Sequence, residues 1–195
     1  MERGHITEVD KDTTIVPKSS DFIRLDIACG NALKEGFIGI DISPETQASV
    51  ITDLEIYPWA DIKDNSVGEI NCSHYIEQVT DLRKFAAELY RILVPGGFVT
   101  IVAPYYSHRR ATQDPTHKQM ISEGTFFYWN KAWIDSNKLH HYNMNCNFDV
   151  LSTKFLFEPD WNTRSTLAKE WARQHYINVV MEIEVILMAI KNKEV

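Results

Sequence analysis

The chain has 195 residues, 44% hydrophobic and 24% charged, ordinary proportions for one globular domain with a sizeable core. Its formal net charge is -7, from 20 basic and 27 acidic residues, which argues against a broad basic face for nucleic-acid backbones. Cys29, Cys72 and Cys146 are far apart, so neither a disulfide framework nor a paired zinc motif is expected and a cytoplasmic protein is; no signal peptide or membrane span is expected either.

Residues 1–20 are polar apart from Ile6 and Ile15-Val16-Pro17 and read as an N-terminal arm. An apolar run over 22–29 ends at Gly30, the pattern of a strand covered on both faces in a parallel sheet. A second strand over 37–40 stops on Asp41, and a third over 49–52 stops on Asp53. The connections 30–36 and 43–48 are shorter than the dozen or so residues of a helical crossover, so loops or single turns are expected there. After a loop-like connection over 54–68, with Tyr57-Pro58-Trp59 and Asp64-Asn65-Ser66, a fourth strand spans 69–73. Asp81 is the N-cap of a helix carrying Leu82, Phe85, Ala86, Leu89, Tyr90 and Leu93 at helical spacing. Pro95-Gly96-Gly97 is expected to stop that helix before a fifth strand over 98–103, completing a right-handed parallel unit. Residues 105–141 break the pattern with aromatic, His, Arg and Asn side chains and read as a substrate-side insertion or lid, with an aromatic helix over 126–133. A strand over 148–157, a helix within 162–174 and a long final strand over 179–190 complete a single domain, 1–195.

Gly30, Asp41, Asp53 and the pair Ser73-His74 all fall at the carboxyl ends of strands, on the edge where open α/β sheets bind ligands. Glycine lets the backbone turn tightly beside a ligand. A carboxylate can accept from both hydroxyls of a ribose, and a second one from an adenine amino group. The loop after the fifth strand offers Tyr105 and His117 as groups that orient an acceptor or take its proton, and Arg109 and Arg110 for an anionic substrate group. His140 and His141 are adjacent and point apart, so no metal site is expected.

The segment Leu25-Asp26-Ile27-Ala28-Cys29-Gly30 resembles the first motif of class I S-adenosylmethionine-dependent methyltransferases, of the compact type 11-like kind. The likeness continues in order through Gly36-Phe37-Ile38-Gly39-Ile40-Asp41, Ile51-Thr52-Asp53-Leu54, Ser73-His74-Tyr75-Ile76-Glu77 and Leu89 to Gly97. It implies a Rossmann-like three-layer α/β sandwich, with a mostly parallel seven-stranded sheet, an antiparallel last strand and shortened first crossovers. It implies S-adenosylmethionine as cofactor, held by Asp26, Ala28, Cys29, Gly30, Asn31, Asp41, Ile42, Asp53, Leu54, Ser73 and His74. The implied reaction is methyl transfer to a small-molecule acceptor, with Tyr105 and His117 catalytic. Ala28 and Ala32 stand where the family has further glycines, on the expectation that φ is ordinary there, and Gln78 stands where a His is common. Two other readings are a non-catalytic partner subunit and a nicotinamide-dinucleotide oxidoreductase. The latter requires Gly-x-Gly-x-x-Gly opening a helix, where this chain has Ala28-Cys29-Gly30-Asn31-Ala32-Leu33.

Overall fold

The computed structural model describes residues 22–59 and 62–191; the expected arm over 1–20 lies outside them. Seven strands, β1 (Ile23–Ile27), β2 (Ile38–Asp41), β3 (Val50–Ile51), β4 (Val67–Ser73), β5 (Leu93–Pro104), β6 (Phe148–Phe157) and β7 (Val180–Ala189), form one sheet in the order β3-β2-β1-β4-β5-β7-β6. The pairings β1–β2, β1–β4, β2–β3 and β4–β5 are parallel. β7 runs antiparallel to both β5 and β6, as the sequence reading expects for the last strand.

Five helices accompany the sheet: α1 (Leu82–Ile92), α2 (Arg110–Gln113), α3 (Glu123–Phe127), α4 (Lys131–Ser136) and α5 (Thr166–His175). The two long ones begin where a side chain satisfies free amides. Asp81 accepts from the amides of Arg83 and Lys84, and Ser165 from that of Ala168. The aromatic stretch 126–133 is two short helices rather than one, because Asn130 leaves the helical conformation and caps α4 through the Trp133 amide. On one face of the sheet, Phe148 meets Tyr90 of α1 and Trp129, which follows α3, while Phe155 lies under Arg173 of α5. The largest buried side chains, including Trp129, Phe85, Phe126 and Phe148, fill this layer.

The other face is layered by loops over β1 and β2, as connections of ten residues (28–37) and eight residues (42–49), both short of a helical crossover, dictate. A Cβ at Gly39 would lie 2.8 Å from Cys29 Sγ and 3.2 Å from Ala48 Cα, so glycine is required where these loops cross β2. The boundary between α1 and β5 differs most from the expectation. α1 ends at Ile92, not at Pro95, because the amides of Asn65 and Ser66 take the carbonyls of Arg91 and Ile92. Residues 94–97 form a bulge instead, since Val67 pairs with Leu93 and Glu69 with Phe98; Gly96 supplies its φ of +79°.

The connection before β4 is anchored to α1 by a buried carboxylate. Glu88 accepts from the Trp59 amide (2.8 Å) and twice from Arg91 (2.6 and 3.0 Å), and Arg91 also donates to the carbonyls of Trp59 and Ile62. Replacing Glu88 by Ala would leave the buried Trp59 amide without its acceptor and take from Arg91 its buried carboxylate, a cost of about 3–5 kcal/mol. In a domain of this size that lowers the melting temperature by roughly 10 °C, whereas Asp64→Ala, at the exposed end of the same cluster, should shift it by no more than about 1 kcal/mol equivalent. Thermal unfolding followed by circular dichroism checks both.

Candidate functional site

Register alone brings the sequence-derived residues together. Ile27 pairs with Ile40 on one side and Cys72 on the other, Asp41 pairs with Ile51, and Ser73 with Val102. One step beyond Ile27, therefore, Ala28, Asp41, Ile51 and Ser73 stand side by side at the carboxyl edge of the sheet. Asp53 and Leu54 follow β3 on the same edge.

The loop after β1 turns twice through left-handed backbone, with φ of +52° at both Ala28 and Gly30. The expectation of an ordinary φ at Ala28 is thus corrected: an alanine holds a conformation that a Cβ disfavours. What over-determines it is a pair of carboxylates. Asp26, buried in β1, accepts from the Lys34 amide at 2.8 Å and from the Asn71 side chain of β4 at 2.7 Å. Asp41, 9% exposed, accepts from the Gly30 amide and from the Ser43 amide, each at 2.9 Å. Gln47 completes the clamp, donating its amide to the Gly30 carbonyl at 3.0 Å and receiving the Leu33 amide at its side chain.

These contacts divide the eleven residues expected at the cofactor. Asp26 is turned inward and spends both oxygens on the fold, so its contribution is to shape the loop. Cys29 is buried against Gly39, and burial pushes its thiol up. Gly30 is different: a Cβ there would meet nothing within 4 Å, so its outer side is open. Ala28 is half-buried, Asn31 exposed, and Ile42 65% exposed beside Asp41. Asp53 accepts from the Glu55 amide at 2.9 Å, and Leu54 is buried with its carbonyl bound by the Trp59 ring nitrogen. Ser73 and His74 are exposed.

The two groups expected to be catalytic are both held internally. The Tyr105 hydroxyl donates to Glu123 at 2.9 Å and accepts from Arg173 at 3.1 Å; burial first, then the bond to Glu123, raises it far above the usual phenol range. His117 faces the Ala111 carbonyl with Nδ1 (3.3 Å) and Glu77 with Nε2 (3.9 Å), and its side chain is 10% exposed. Both ring nitrogens thus point inward. Arg109 and Arg110 reach Glu158 and Glu182. Among the described residues no group of three or more His, Cys, Asp or Glu could hold a metal ion.

A neighbouring cleft of about 410 Å³ opens beyond β5, lined by Tyr106, Met120, Ser122, Glu123, Gly124 and Phe127. It exists because residue 121 runs alongside 105 and 106: Tyr105 bridges Ile121, and the Tyr106 amide donates to the Ile121 carbonyl. Of the Tyr105–Glu123–Arg173 network, Glu123 lines this cleft. Arg173 lies 68 residues from Tyr105, and no sequence signal joined them. A smaller hollow of about 90 Å³ lies at the opposite edge, beside the 94–97 bulge.

The donor set fits a nucleoside without a phosphate. An ionisable acid stands at the end of β2, an exposed aliphatic follows it, and the loop after β1 leads into turns rather than a helix. Without a helix N-terminus at that loop, the amide cluster that holds a pyrophosphate does not form.

Residues 25–101 match the family described as "Methyltransferase domain". No curated protein matches the chain. Among solved structures, a SAM-dependent methyltransferase from Archaeoglobus fulgidus is similar at 18% identity and a TM-score of 0.59, covering 87% of this chain and 86% of its own. An S-adenosylmethionine-dependent methyltransferase from Mesorhizobium loti is similar at 14% identity and a TM-score of 0.56, covering 86% and 91%. At these identities the structures speak for the fold, while the matched segment is the one that builds β1 to β5 and their loops. That segment, this strand order and an acid closing β2 together give the chain the fold of a methyltransferase domain.

Proposed function

We propose that the chain transfers the methyl group of S-adenosylmethionine to a small-molecule acceptor held in the cleft beside β5. The observation that carries this reading is the hydrogen bond from Gly30 to Asp41. It joins the carboxyl ends of β1 and β2 and leaves an open surface at Gly30 next to the Asp41 carboxyl group. Asp41 retains free lone pairs beyond the two amides it accepts from, so it would hold the ribose hydroxyls. Ile42 and Leu54 would flank the base, with Asp53 near its amino group. The loop 28–31 would pass under the rest of the cofactor toward Ser73.

The bound cofactor supplies an already activated methyl group, so the protein's part is alignment. The cleft of about 410 Å³ falls in the size range of small-molecule sites. Tyr106 and Phe127 offer aromatic walls, and the Tyr105–Glu123–Arg173 network fixes Glu123 in the lining. An overall charge of -7 weighs against a phosphate-backbone acceptor. Three buried free thiols accord with a reducing cytoplasm. No described helix is long and apolar enough to cross a membrane.

Calorimetry with S-adenosylhomocysteine, the demethylated product, should give micromolar affinity, and NAD should give no measurable heat; tighter binding of NAD would overturn the reading. Asp41→Asn should weaken S-adenosylhomocysteine at least about tenfold by removing the charge from the ribose bonds. Asp41→Ala should do the same and also lower the melting temperature of the free protein, because the Gly30 and Ser43 amides lose their acceptor. Unchanged affinity in Asp41→Asn would reduce Asp41 to a purely structural role.

A further inference from the structure

Among the described residues, the buried side-chain atoms without a hydrogen-bond partner are the Tyr57 hydroxyl and both carboxylate oxygens of Glu77. An unpartnered buried carboxylate is costly and calls for a reason. Glu77 sits in the 3-10 turn Ile76–Gln78 directly after β4 and is 1% exposed. Its carbonyl accepts from the amides of Lys118 and Gln119, at 2.8 and 2.9 Å, which ties this turn to the loop carrying His117. Its neighbours in charge are two imidazoles: His74 Nδ1 at 3.5 Å and His117 Nε2 at 3.9 Å from the same oxygen.

The two imidazoles are not equivalent. His117 is enclosed, with Nδ1 at a backbone carbonyl. The His74 side chain is 45% exposed and leaves the carboxyl edge immediately after Ser73, between the expected cofactor loop and the strand that leads to the acceptor cleft. Its backbone is fixed in an unusual conformation, φ +56°, by its amide on the Val102 carbonyl (2.8 Å) and by the Gln78 side chain on its own carbonyl (3.2 Å). Left-handed backbone at a non-glycine residue concentrates at functional sites. The second ring nitrogen, Nε2, is on the side of Glu182 at 3.7 Å.

We propose that His74, rather than His117, takes the proton of the methyl acceptor, with Glu77 as its positioning residue. The proposal rests on the methyl-transfer reading. In the step, the acceptor's lone pair forms the bond to the methyl carbon, the carbon–sulfur bond breaks with its electrons on sulfur, and the acceptor's proton passes to Nε2 of His74. Glu77 on Nδ1 then stabilises the imidazolium, which later releases the proton to water. The groups facing this ring are Glu77 from the turn after β4, Glu182 from β7, and Arg110 of α2, which binds the Glu182 oxygen at 3.0 Å. Behind Glu77 stand His117 and, 3.9 Å from it, Asp114. The Glu77 carboxylate beside Nδ1 raises His74 above the ordinary imidazole value, and Glu182 adds to this against burial and Arg110. His74 therefore stays protonated to higher pH than a free imidazole and becomes a base as the pH rises through that raised value.

The test needs no acceptor. Histidine Cε1–H resonances of the full chain are followed through a pH titration in the parent, in His74→Gln (which assigns the peak) and in Glu77→Gln. His74 should titrate above the ordinary value in the parent and lower in Glu77→Gln. In parallel, diethyl pyrocarbonate, which acylates accessible neutral imidazoles, is mapped by mass spectrometry. His74 should react much faster than His117, and S-adenosylhomocysteine at ten times its Kd should slow His74 by roughly tenfold without slowing His140 or His141. An unshifted His74 titration in Glu77→Gln removes the role of Glu77. Calorimetric binding of S-adenosylhomocysteine with no protection of His74 removes the role of His74 and leaves the methyltransferase reading standing. Absence of binding removes that reading and this proposal with it.

Discussion

A ten-residue connection between two parallel strands, 28–37, is the constraint from which the candidate site follows. Such a connection cannot hold a helix, so the amides that a helix would have satisfied need other acceptors. Asp26 takes the amide of Lys34, and Asp41 takes those of Gly30 and Ser43. The loop is consequently fixed by two carboxylates in addition to its own turns, Ala32 to Cys29 and Phe37 to Lys34. The same arrangement places one carboxylate inside the sheet and the other at its edge, still ionisable and beside an open glycine. In the proposed site, shape and binding chemistry share the Gly30–Asp41 hydrogen bond.

The trimmed crossovers also account for the uneven layering. α1 with its buried apolar face, and α5 through Ala172 and Arg173, cover one side of the sheet, and loops that cross at Gly39 cover β1 and β2 on the other. Strand order is unaffected, because it is set by which strand ends each connection can reach and by the right-handed crossover through α1. The cleft beyond β5 depends on a different device: the chain returns at Ile121 to bridge Tyr105, and Arg173 from α5 holds Glu123, which lines the cleft, together with the Tyr105 hydroxyl.

Much of this was legible in the sequence, for identifiable reasons. Continuous apolar runs ending in glycine or an acid mark buried parallel strands, and the residue counts between them forbid helices, so β1 to β3 and the edge occupied by Gly30, Asp41 and Asp53 could be read directly. Asp81 announced its helix through capping chemistry. What could not be read depends on contacts between distant residues. The end of α1 is decided by the amides of Asn65 and Ser66, not by the Pro-Gly-Gly that follows. The strained φ of Ala28 comes from carboxylates on two strands. The inward turn of Tyr105 and His117 comes from Glu123, Arg173 and Glu77, partners that periodicity does not reveal. A residue type suited to catalysis, in the correct loop, says nothing of which way its polar atoms point.

The central claim is that Asp41 and the loop it holds form the nucleoside site. A crystal structure with S-adenosylhomocysteine tests it most directly. The account expects the ribose hydroxyls within hydrogen-bond distance of the Asp41 carboxylate, the base beside Ile42 and Leu54, and the sulfur end over the loop 28–31 toward Ser73, with the Gly30–Asp41 bond kept. Ligand bound away from the carboxyl edge of β1 and β2, or a ribose that makes no contact with Asp41, would contradict it.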